Sequence, residues 1–154
     1  MVPALAGYED KHGRSFWSDL REEERSRAER CISANTRLTW LAAFAPLGVF
    51  DILCILHEAH DPRDIKDRVL SELVQGILKI LTYIDSLNMS SLNMSLYFLR
   101  GERVFVPHLR ICPRVSIPPF DTSQINCMKM LHNESLTTLK PEDICSDLKA
   151  LWNE

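Results

Sequence analysis

The sequence predicts an α+β fold that is predominantly helical, with four to five helices and a small two- or three-stranded antiparallel β element. Three observations lead there. Apolar side chains recur at three- and four-residue steps from residue 62 to 87, residues 38–56 are apolar apart from Asp51, and from Leu96 onward short strand-like runs alternate with prolines. At 154 residues the chain fits one globular domain, since halves of it would each bury only a marginal core.

The elements follow in chain order. Residues 1–15 carry no clear pattern and are expected to be flexible. Asp19 with Glu22 has the form of a capping box, so a surface helix is expected from Ser18 or Asp19, with Phe16, Trp17, Leu20, Ala28, Cys31 and Ile32 as a narrow apolar edge. Asn35 or Thr36 then starts a helix that breaks before Pro46, because proline disfavours helical geometry in the residue ahead of it. Leu47 to His60 resumes as a buried helix, apolar nearly all round. A membrane span over Leu38 to Leu56 is disfavoured by Pro46, Gly48 and Asp51 within it.

Asp61-Pro62 ends that helix and opens the next, with Asp61 as cap and Pro62 in the first helical position. Ile65, Val69, Leu73, Ile77, Ile80, Ile84 and Leu87 then form a wide stripe on a helix of about 25 residues. Gly76 within it suits close approach of a neighbouring helix. Residues 86–90 and 91–95 both read Ser-Leu-Asn-Met-Ser, and this duplication is expected in a tolerant loop over 88–95.

Leu96 to Leu99 and Arg103 to Val106 read as a hairpin around Arg100-Gly101-Glu102. Leu109 to Ile117 is a candidate third strand that Pro107, Pro113, Pro118 and Pro119 restrict to an edge or an extended loop. Asp121 with Gln124 opens a short helix containing Ile125, Met128 and Leu131. Pro141 opens the last, with Ile144, Leu148, Leu151 and Trp152 on its apolar side.

Composition narrows the function classes. The net charge of −3 gives no general attraction to polyanions, although residues 96–120 hold four arginines against Glu102. Five widely spaced cysteines with no Cys-x-x-Cys pair argue against zinc ribbons and disulfide frameworks. With no basic-then-apolar start, the expected location is intracellular, cytoplasmic or nuclear.

Four candidate sites stand out. His57 and His60, with Asp61 or Asp64, are metal-type ligands, but they lack the four-residue histidine spacing of a zincin helix. Asp51, among Phe50, Ile52, Leu53 and Cys54, is a buried acid that either carries proton chemistry or bonds an arginine or free amides. Arg100, Arg103, His108, Arg110 and Arg114, near Tyr97, Phe98 and Phe105, suit a surface for RNA or single-stranded nucleic acid. Finally, Phe16, the tryptophans and the methionines suit contact with another protein.

Glycine-rich phosphate loops and nucleophile elbows are absent from the sequence. The reading that needs no missing motif is a non-enzymatic protein–protein interaction module, a fast-evolving regulator or antagonist of another protein, with no cofactor. Nucleic-acid binding through residues 100–114 is the first alternative. A small enzyme using Asp51 or a His57/His60 site is the second. A second copy of the chain is a further candidate partner.

Overall fold

The computed structural model describes residues 2–57, 59, 61–101, 104–114 and 137–153. In chain order these form α1 (Val2–His12), α2 (Phe16–Arg27), β1 (Cys31–Ala34), β2 (Leu38–Ala42), β3 (Ile52–Leu56), a 3-10 turn (Pro62–Asp64), α3 (Asp67–Ser86), β4 (Ser91–Tyr97), β5 (His108–Arg114) and α4 (Pro141–Trp152). The strands make one five-stranded sheet in the order β1-β2-β3-β5-β4, with every neighbouring pair antiparallel. The organising layer is therefore this sheet. The expected helical body with a small two- or three-stranded element is corrected.

The largest correction concerns residues 38–56. Expected as buried helices, they supply β2 and β3, each buried at all five positions. A strand covered on both faces shows no apolar–polar alternation, and its unbroken apolar run resembles a buried helix. Asn35 does not cap a helix. Its Oδ1 accepts the amides of Arg37 and Leu38, each at 2.8 Å, and so closes the β1–β2 turn.

Residues 86–95 overturn the tolerant-loop expectation. The first copy of the pentapeptide ends α3 and turns the chain, with Asn88 at φ 57°. The second copy is the body of β4, paired with β5 from Ser91↔Arg114 to Tyr97↔His108. Leu96 and Tyr97 thus pair with Leu109 and His108, and the hairpin expected around Arg100-Gly101-Glu102 is not formed. Residues 102 and 103 lie outside the described residues, as does the helix expected from Asp121 to Leu131.

β5 is not an edge strand. It lies between β3 and β4, and Pro113 is accommodated because pairing with β3 ends at Ile52↔Ile111. Proline's missing donor therefore interrupts no ladder on that side.

Expectation and structure agree best on two helices. α3 buries Val69, Leu73, Ile80, Tyr83 and Ile84, and Asp61 with Asp64 forms a reciprocal cap around the preceding 3-10 turn. α4 starts at Pro141 and buries Ile144, Cys145 and Leu148. Gly76 does admit a close neighbour, but the neighbour is Trp40 of β2 rather than a helix. A Cβ at Gly76 would lie 2.6 Å from Cε2 of that indole.

Alternation along the strands separates two apolar clusters. Leu38, Trp40, Ile52, Cys54, Leu56, Leu109 and Ile111 face α3 and α4. Leu41, Leu53 and Ile55 face the other way, toward Leu5, Trp17 and Phe105. Burying each such side chain stabilises the fold by roughly 1.5–3 kcal/mol before the entropy cost of ordering it.

Candidate functional site

A groove of about 430 Å³ opens on the second face, between α2 and strands β2, β3 and β5. Trp17, Leu20 and Glu24 enter it from α2 at three- and four-residue steps, so one helical edge supplies all three. Leu41, Leu53 and residues 42–45 supply apolar walls, and His108 and Arg110 reach it from β5. Those last two sit two residues apart on a strand, which places them on one face.

His108 is almost fully buried. Its ring stacks on Tyr97 at 4.9 Å between centroids and lies 4.7 Å from the ring of Trp17. Nδ1 is 2.9 Å from the carbonyl oxygen of Val106, which can only accept, so Nδ1 carries the proton. Burial holds the imidazole pKa below its ordinary value, and the Arg110 charge pushes the same way. The resting form is a neutral imidazole whose lone pair is on Nε2.

Asp51 joins this site from the turn before β3. Its side chain is fully buried and pairs with Nη2 of Arg110 across 59 residues of sequence. The buried acid is thus bonded to an arginine, one of the two roles its position suggested. Nε of Arg110 is buried and has no hydrogen-bond partner among the described residues.

Glu24, which also lines the groove, is buried on a helix whose neighbouring Glu22 and Glu23 are exposed. Its Oε1 accepts Nε and Nη2 of Arg30 at 3.1 and 3.0 Å. Nη1 of Arg30 donates to Glu142 of α4 at 2.8 Å, and the guanidinium lies 5.0 Å from the ring of Phe44.

The remaining expected residues are dispersed. His57 follows β3, not a helix; its Nδ1 is 3.1 Å from Nη1 of Arg21, and its Nε2 is 2.8 Å from Oγ1 of Thr39. Arginine can only donate, so the His57 proton sits on Nε2, and burial with Arg21 and Arg25 lowers its pKa to about 4. His60 and Arg103 lie outside the described residues. Arg100 is exposed in the turn after β4, and Arg114 ends β5. Tyr97 and Phe105 pack on His108 instead of presenting stacking faces beside those arginines. Among the described residues, no group of three or more His, Cys, Asp or Glu side chains is placed to hold a metal ion. No helix there is long and apolar enough to cross a membrane.

Glu24 was missed as a site residue, and Trp17 was read as a protein-contact residue, not as a wall of this groove. The signal for Glu24 was present: it falls on the apolar edge marked by Trp17 and Leu20, where a solvated charge does not belong.

No protein-family model matches the sequence. An uncharacterized protein of Archaeoglobus fulgidus is 28% identical over 150 residues, a match covering 96% of this chain and 44% of that protein. Among solved structures, a uridylyltransferase superposes with a TM-score of 0.78 at 14% identity, over 99% of this chain and 49% of the other. An ADP-glucose phosphorylase from Arabidopsis thaliana with bound ADP-glucose gives 0.71 at 15% identity, over 96% and 47%. A zinc-bound histidine triad family protein from Mycobacterium smegmatis gives 0.50 at 15% identity, over 80% and 83%. This chain therefore spans about half the length of the first relative and of the two longer structures. Its described residues do not gather a zinc-type ligand set.

The shared fold corrects the expectation of a non-enzymatic protein-recognition module. The chain shares its architecture with a uridylyltransferase and an ADP-glucose phosphorylase, whereas the small enzyme using Asp51 or a His57/His60 site stood last among the alternatives.

Proposed function

We propose that this protein handles a nucleoside-phosphate substrate seated in the groove between α2 and the sheet, in a phosphoryl- or nucleotidyl-transfer reaction. One observation carries this proposal. His108 and Arg110 share one face of β5 and line one groove, on a fold also found in a uridylyltransferase and an ADP-glucose phosphorylase.

Each part has a chemical role. The apolar walls around Trp17, Leu20, Leu41 and Leu53 take the base or sugar face. Arg110 is fixed through Nη2 by Asp51, and its Nε–H donates to a phosphate oxygen. The Nε2 lone pair of His108 can attack phosphorus, a P–Nε2 bond forming as the P–O bond to the leaving phosphate breaks, and the Val106 carbonyl keeps the ring in the tautomer that leaves Nε2 unprotonated.

The test is titration calorimetry of the whole chain with nucleoside diphosphates and their sugar conjugates, followed by a transfer assay on whichever binds. Arg110→Lys keeps a charge beside Asp51 but removes the Nε donor, and should weaken binding about tenfold, or about 1.4 kcal/mol. His108→Asn should retain binding and lose turnover. Absence of nucleotide binding at millimolar concentration, or an Arg110→Lys affinity equal to the wild type, would count against the proposal.

A further inference from the structure

We infer that Glu24 reads a hydrogen-bond donor on the ligand, a hydroxyl or an amino group, and thereby sets the orientation and specificity of the groove. This rests on the nucleotide reading and adds to it the residue that recognises the end of the substrate away from the phosphate.

The first ground is incomplete hydrogen bonding at Glu24. Oε1 takes both available bonds from Arg30, while Oε2 is buried with no partner among the described residues. A buried carboxylate oxygen left without a donor is costly, and folds retain such atoms chiefly where a ligand or water completes them. Glu24 lines the groove, so the missing donor can come from its occupant.

The second ground is charge. Arg30 is shared between Glu24 and Glu142, with Glu29 3.8 Å away, so the guanidinium leaves the Glu24 end net negative. A phosphate is repelled there and drawn to Arg110. A neutral O–H or N–H donor is accepted at Oε2.

The third ground is rigidity. Glu24 cannot swing to find a partner. It is pinned by Arg30, which is in turn fixed by Glu142 and covered by the ring of Phe44. Arg30, which pins this lone acceptor, precedes β1, whereas the donor Arg110 lies on β5 with β2 and β3 between them, and this separation gives the groove a direction.

Two ligand groups share this chemistry, a sugar hydroxyl and an exocyclic amine on the base. Calorimetry on the whole wild-type chain separates them, using the tightest-binding nucleoside diphosphate, its 2′-deoxy and 3′-deoxy forms, and the form lacking the base amino group. One of these should bind at least tenfold more weakly than the parent, and which one names the group that Glu24 reads. Glu24→Gln keeps the shape and an oxygen for Arg30 but turns an amide NH₂ toward the ligand. It should weaken the parent nucleotide at least tenfold and leave the donor-less analogue unchanged.

Uniform affinity across the analogues, or a folded Glu24→Gln protein that binds like the wild type, overturns the inference and leaves Glu24 as a structural partner of Arg30. If Glu24→Gln fails to fold by circular dichroism, the wild-type analogue series decides alone. A wild type that binds no nucleotide removes the nucleotide reading and this inference together, whereas binding that ignores Glu24 removes only this one.

Discussion

The two faces of the sheet are built from alternate residues of the same strands, yet they are finished differently. On the α3/α4 face, Leu38, Trp40, Ile52, Cys54, Leu109 and Ile111 meet helices directly, and Gly76 lets Trp40 press against the α3 backbone. On the α1/α2 face, the same strands offer Thr39, His108 and Arg110 among the apolar side chains, and α2 stands off far enough to leave a groove. Close packing serves stability on one side. On the other, polar atoms are held in place with donors and acceptors still unspent, the usual arrangement where a ligand completes the structure.

The sharpest way to break this contrast is to charge each face of α3. Ile80 is fully buried, so Ile80→Asp should cost about 4 kcal/mol or more and abolish cooperative melting. Leu78 is 57% exposed on the outer side of the same helix, and Leu78→Asp should shift stability by less than about 0.5 kcal/mol. Equal effects in thermal melts would show that α3 does not separate core from surface as described.

On the groove face the largest effect should come from the ion pair. Arg110→Ala takes the guanidinium away from the fully buried Asp51 carboxylate and should cost about 3 kcal/mol by urea unfolding. Replacing both, as Asp51→Leu with Arg110→Met, should recover most of that loss, because no buried charge is then left without its partner. A double variant as unstable as the single one would mean that Asp51 is needed for its other bonds, including the 3.4 Å contact from the Leu47 amide.

Next comes packing. Gly76→Ala forces the Trp40 indole to move and should destabilise by about 2 kcal/mol. Gly7→Ala, on α1 with nothing within 4 Å of the added methyl, should be neutral or stabilising by up to about 1 kcal/mol.

Acidic pH acting through His57 should have an effect of about the same size as Gly76→Ala. Its folded pKa of about 4 lies below the ordinary imidazole value of 6.5, so the unfolded chain binds its proton first. The His57 contribution is complete above about pH 6.5 and is lost as the pH falls toward 4. About 2 kcal/mol is expected after allowing for partial exposure, and His57→Gln should flatten this part of the stability–pH curve.

Legibility in the sequence followed the same division. α3 was readable because one of its faces is exposed, so Val69, Leu73, Ile80 and Ile84 stand out against polar neighbours, and Pro141 marked the start of α4. β2 and β3 were hidden because both their faces are covered, which erases the period that identifies a strand. For the site, Asp51, His108 and Arg110 were each visible as unusual. Their meeting depends on β3 and β5 being neighbours, a long-range pairing that no local pattern encodes. Glu24 was disguised by Glu22 and Glu23 beside it, although its spacing from Trp17 and Leu20 set it apart.

The duplicated pentapeptide gives a five-residue shortening a way to keep the sheet edge at the expense of the end of α3. Asn88 turns the chain at φ 57°, while Asn93, its twin, lies extended opposite Cys112. Excising residues 91–95 leaves Ser86–Ser90 joined directly to Leu96, so an identical string is ready to occupy the vacated strand with Leu96 still facing Leu109. The sheet keeps its spelling, and the loss moves upstream to the last turn of α3, whose Tyr83 and Ile84 must yield backbone to span the gap. Amide exchange should show this directly, as protection retained across β5 and lost at the end of α3. Sequence redundancy here acts as spare length, exchanging one turn of helix for an intact sheet edge.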